Sequence, residues 1–151
     1  MARLKTRLDQ TFSRVNQLGF DLEARSDFAR YLCVLVSGYF ENVVVEMLND
    51  YVARSASPQA QRYIASELEW FTNAKREKVL QLFGAFDPTW RALLESVIVD
   101  ERDAALNSVV ALRNKIAHGE SVTVTFVQIS RYYERVQKIV DAIVDLLDPP
   151  A

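Results

Sequence analysis

The sequence predicts an all-α protein: a bundle of about five to seven helices packed around one long central helix. Three observations carry this. Only four glycines and four prolines interrupt 151 residues, two of those prolines being Pro149 and Pro150 at the tail, so hairpin signals are scarce. Apolar residues return at steps of three and four along most of the chain. Proline and capping residues fall together at the places where that rhythm breaks.

Leu4, Leu8, Phe12, Val15 and Leu18 form the stripe of a first amphipathic helix, Leu4 to Leu18, that Gly19 stops. The next helix runs from Leu22 to about Arg54, and between Phe28 and Tyr51 it is apolar on nearly every face. Such a helix belongs in the middle of a bundle or at a subunit contact. Ser57-Pro58 offers an N-cap followed by proline at the first helical position, opening a segment through about Trp70. Asn73 is the expected cap of a helix through about Phe86, and Asp87-Pro88 repeats the cap-and-proline signal ahead of Trp90 to Val97. Asp100 is the expected N-cap of a helix ending at His118, where Gly119 can adopt the left-handed conformation that closes it. Thr125 and Gln128 match a capping box for the last helix. Within it Ile129, Val136 and Ile143 repeat every seven residues, as do Tyr132, Ile139 and Leu146, a seam for a partner helix inside the bundle or across a dimer.

With 50% hydrophobic and 25% charged residues the composition is globular and excludes disorder. One domain over residues 1–148 with a short tail at 149–151 is the expected organisation. The single cysteine, Cys33, has no internal partner and falls in an apolar run, which fits a buried thiol and a cytoplasmic protein. Arg3, Lys5 and Arg7 alternate with Leu4 and Leu8, unlike a signal peptide. The longest apolar run, Tyr31 to Val45, is broken by Glu41 and Asn42, so no membrane span is expected. A net charge of -2 and a pI near 5.5 argue against a broad electrostatic footprint for nucleic acid, so any such contact must be local.

Chemistry concentrates in Arg113-Asn114-Lys115-Ile116-Ala117-His118, followed by Gly119, which holds the chain's only histidine. On a helix, Ala105, Val109, Leu112 and Ile116 form one side of an apolar stripe and Leu106 and Ala117 the other, with Arg113 between them. An arginine there needs a carboxylate, backbone carbonyls or a groove. Asn114 and His118 share a face, whereas Arg113 and His118 differ by roughly 140° on a straight helix, so they converge only where the helix ends. A helix C-terminus favours a charged imidazole, suited to acid catalysis. By spacing alone, His118 can equally be a capping residue and Arg113 a snorkelling side chain. In the central helix Ser37 and Glu41 share a face, as do Asn42 and Glu46, and Glu41, ahead of Glu46, is the expected carboxylate for Arg113. Lys115 and the cluster Lys75, Arg76 and Lys78 are candidate phosphate contacts, the cluster reading more readily as a solvated face.

Together the Arg-Asn-x-x-x-His pattern, Gly119, the stretch Ser37-Gly38-Tyr39-Phe40-Glu41 and the Tyr132-Tyr133 helix resemble a HEPN domain, closest to the stand-alone prokaryotic groups tied to defence and toxin systems. The resemblance implies an all-α bundle, usually a homodimer, in which two copies of the motif meet in a cleft and cut RNA without metal or cofactor. Arg113 and His118 would then be the catalytic pair, Asn114 the polar residue that orients them, and Glu41 and Ser37 the supporting residues of the central helix. An antitoxin or effector protein would be a further partner. HEPN toxins controlled by nucleotidylation carry a tyrosine two residues after the histidine; here that residue is Glu120, so control by that route is not expected. The alternative is a non-catalytic HEPN-like module that binds a nucleotide, RNA or a protein partner. A metal site is not expected, since no second histidine and no carboxylate cluster with ligand spacing occur.

Overall fold

The computed structural model describes residues 2–17 and 22–149, and among them it contains seven helices and no strands. Helix α1 spans Ala2–Gln17, α2 Leu22–Ser55, α3 Pro58–Leu68, α4 Arg76–Phe86, α5 Pro88–Val97, α6 Asp100–Ala117 and α7 Phe126–Leu147. The expected stop of the first helix at Leu18 and Gly19 lies outside the described residues.

At 34 residues α2 is about 50 Å long, and α6, α7, α1 and α3 all pack on it. Its all-round apolar character has that cause: Leu32, Val36, Phe40, Val43, Val44 and Leu48 are each essentially inaccessible. The segment Glu23–Ser55 is long and apolar enough by composition to cross a membrane. In the bundle most of its apolar side chains meet other helices, as in the core helix of a folded domain, while Tyr31 and Val34 stay exposed. Helices α2, α6 and α7 touch one another pairwise and form the centre. The heptad series Ile129, Val136 and Ile143 is fully buried there, which directs that seam inward. Helix α1 lies over α2 and α7, with the Phe12 ring stacked on Tyr133 at 4.8 Å and near Phe126 at 6.1 Å. Tyr133 Oη then donates to Asp9 Oδ1 at 2.7 Å.

Local cap chemistry explains most boundaries. Ser57 accepts from the Ala60 N–H ahead of Pro58, Asp87 accepts from the Thr89 N–H ahead of Pro88, and Thr125 with Gln128 forms a reciprocal capping box. Two expected caps are not used. Asn73 sits at φ 54 and hands its N–H to Glu41 Oε1 at 3.0 Å, so α4 starts later, at Arg76, with Lys75 as a cap that makes no side-chain bond. The N-cap of α6 is Val99, and Asp100, at φ 51, is the first helical residue instead. Buried Ile98 is held just upstream, its carbonyl accepting from Arg76 Nε at 2.7 Å, so the chain must reverse within Val99 and Asp100. Asp100, Glu101 and Asp103 still sit in the first turn, where the helix dipole favours them.

Candidate active site

The end of α6 is built by backbone geometry. His118 is the C-cap at φ -88, and Gly119 follows at φ 76, the left-handed region that only glycine enters freely. The Gly119 N–H donates to Ile116 O at 3.0 Å and the Glu120 N–H to Lys115 O at 2.9 Å. These two bonds are the paired closures of a Schellman motif. The His118 N–H itself donates to Asn114 O at 3.0 Å, so its backbone is fixed while its side chain is exposed.

Beyond the turn, residues 120–125 run without helix, and Val122 and Val124 face inward while Ser121, Thr123 and Thr125 face out. Arg30 of α2 donates Nη1 to Val122 O at 3.5 Å and also pairs with Asp27. This clasp ties the segment after His118 to the first half of α2. Sequence reasoning missed Arg30, because the contact joins positions 92 apart.

Arg113 is half-buried on α6, and its Nη1 donates to Asn114 Oδ1 at 3.2 Å. Among the described residues it forms no ion pair, which leaves most of a guanidinium's five N–H donors available. Asn114 thus orients the arginine through its side chain and carries His118 through its carbonyl. The imidazole of His118 makes no hydrogen bond among the described residues, to Arg113 or to any other group. Lys115 is exposed in the last turn, its side chain unengaged.

Two expected members stand elsewhere. Glu41 does not pair with Arg113; its Oε1 accepts from the Asn73 N–H, because the loop between α3 and α4 reaches the middle of α2 and presents an otherwise orphaned donor there. Glu41 is therefore a brace for that loop. Ser37 is 2% exposed and lies inside the bundle, out of reach of any bound molecule. Arg76, read from sequence as part of a solvated cluster, spends its guanidinium on Ile98 O and on Glu95 O at 3.2 Å, closing the end of α5. Among the described residues no three His, Cys, Asp or Glu side chains gather as a metal site would require. Together, an unengaged imidazole and a guanidinium that has no carboxylate partner among the described residues, five residues apart at a helix end, can exchange a proton and stabilise an anion, respectively.

Compared with known proteins, the chain matches the family described as RiboL-PSP-HEPN over residues 3–149. No curated protein and no solved structure gives a significant match.

Proposed function

The chain belongs to the RiboL-PSP-HEPN family, and from that premise we propose that it is a metal-independent endoribonuclease of toxin or antiviral-defence type, acting as a homodimer. The observation that carries this reading is the end of α6: His118 exposed and unengaged on a Schellman turn, five residues past an Arg113 that has no carboxylate partner among the described residues.

Cleavage by the 2′-hydroxyl needs a base for its proton, an acid for the leaving 5′-oxygen and positive charge on the phosphorane. One chain has one histidine. Two copies brought together supply two His118 and two Arg113, enough for base, acid and charge. Each proton-transfer group contributes about a hundred- to ten-thousand-fold in rate. Asn114 acts as a positioning residue by holding Arg113 through Oδ1, and Lys115 meets a flanking phosphate. Glu41 supports the scaffold beneath rather than the reacting groups. An antitoxin or effector protein would restrain such an activity in the cell.

The test is incubation of purified protein with mixed RNA in EDTA, followed by analysis of fragment ends. Cyclic phosphate ends made by the wild type and lost in folded His118→Ala and Arg113→Ala support the proposal. Undiminished cleavage by folded His118→Ala rejects it. A second reading, a non-catalytic module that binds RNA or nucleotide, draws on exposed Glu120, whose carboxylate two residues from His118 repels an approaching phosphate. It gains if the wild type binds RNA and leaves it intact.

A further inference from the structure

Helix α1 differs in charge from the rest of the protein. It carries Arg3, Lys5, Arg7 and Arg14 against one acid, Asp9, in a chain whose net charge is -2. Asp9 is already committed, to Lys5 Nζ at 2.6 Å and to the Tyr133 hydroxyl at 2.7 Å. Among the described residues neither Arg7 nor Arg14 has a carboxylate partner, the one side-chain contact of Arg14 being Thr11 at 3.4 Å.

Seven residues apart, these two arginines lie on nearly the same face, roughly 10 Å from one another along the axis. Both line a groove of about 390 Å³ between α1 and α2, whose other walls include Gln10, Tyr31, Gly38 and Asn42 and which, among the described residues, no aspartate or glutamate lines. Tyr31 is 54% exposed beside it. Gly38 sits on the α2 side, and a Cβ there would meet nothing within 4 Å. A glycine inside a helix costs about 0.5–1 kcal/mol relative to alanine, and nothing among the described residues requires this one. An occupant of the groove would.

We propose that the groove between α1 and α2 holds single-stranded RNA: Arg7 and Arg14 meet phosphates, Tyr31 stacks on a base, and Gly38 leaves room for the strand. Gln10 and Asn42 offer amides to base edges. The proposal rests on the ribonuclease reading above for the identity of the polyanion, and it adds a tract apart from the reacting groups that fixes where the strand lies. Paired phosphate contact and aromatic stacking are how single strands are held without a sequence code. A second copy of the chain fits less well, since a twofold contact here would bring the unpaired Arg7 and Arg14 against their own copies.

The experiment measures fluorescence anisotropy of a labelled oligouridylate with His118→Ala protein in EDTA over a range of salt. Gly38→Glu, which enters open space on a helix and leaves the fold intact by thermal unfolding, should weaken binding at least tenfold. Arg7→Ala with Arg14→Ala should reduce the slope of log affinity against log salt by roughly 1.4, at about 0.7 per phosphate contact. Tyr31→Ala should cost roughly five- to 150-fold, the range for one stacked base. Parental affinity and slope in folded Gly38→Glu and in the double arginine variant overturn the proposal. So does a change of oligomeric state in Gly38→Glu with RNA affinity unchanged, which makes the face a contact between copies. Cleavage by the wild type, assayed in parallel, separates the two readings: binding that depends on the groove without any cleavage supports the tract and rejects the nuclease.

Discussion

Gly38 and Gly119 allow one substitution to be set against itself. At both positions a Cβ would meet nothing within 4 Å, so packing contributes to neither. The backbone differs: Gly38 is inside α2, whereas Gly119 is at φ 76. In a left-handed conformation a Cβ crowds the following carbonyl at about 1–2 kcal/mol, partly offset by the smaller entropy of the unfolded chain. Gly119→Ala should therefore destabilise by about 1 kcal/mol. Gly38→Ala should stabilise by about 0.5–1 kcal/mol, because the helical conformation is open to alanine. For a chain of this size the two variants should melt roughly 3–8 °C apart, on opposite sides of the wild type. Urea unfolding followed by circular dichroism at one fixed protein concentration measures both, with unchanged m confirming that the unfolded state is comparable. Gly119→Asn, which tolerates the left-handed region, should recover most of the loss. Shifts of the same sign in both alanine variants would refute the reasoning, since open space is common to them and only φ is not.

Two further outcomes concern the buried ionisable groups. Burial first, and then the hydrogen bond to Asp9, push the Tyr133 hydroxyl well above its ordinary value of 10.0. The neutral form is thus favoured on folding, so this stability is present below about pH 10 and is lost as pH rises beyond it. Tyr133→Phe should cost about 1 kcal/mol at neutral pH, and its urea midpoint should fall less than the wild type's in alkali; parallel decline of the two curves would count against the assignment. Cys33 is buried and its thiol is pushed up to about 12 by desolvation. Its labelling by a thiol reagent should track global unfolding in urea, and rapid reaction in native buffer would contradict its place in the core.

The helical architecture was legible because its signals are local. Ser57-Pro58, Asp87-Pro88 and the Thr125–Gln128 box each satisfy backbone donors within three residues, so spacing suffices to find them. Gly119 was legible for the same reason. Asn73 and Asp100 were misread because tertiary contacts decide them: Glu41, 32 residues away, takes the Asn73 N–H, and Arg76, 22 residues from Ile98, grips the carbonyl before the α6 turn. Within the candidate site, Arg113, Asn114 and His118 lie on one short stretch, and their spacing exposed them. The expected Arg113–Glu41 pair failed because helical periodicity orders residues around one axis and says nothing of which neighbour another helix brings. Arg7, Arg14 and Tyr31 were hidden likewise, since a groove exists only once two helices lie side by side.

The pair α4 and α5 is bracketed from within. Arg91 reaches Glu77 and Glu95, both at 2.9 Å, and Arg76 ties the start of α4 to the end of α5. These two helices contact each other more than either contacts the α2, α6 and α7 centre. The hairpin is braced from within yet lends Val79, Leu80, Phe83, Leu94 and Ile98 to the common core, whereas the turn that presents His118 is anchored separately, by Arg30 and the valines beyond it. Changes confined to the exposed face of this hairpin would therefore leave the opposite end of α6 undisturbed.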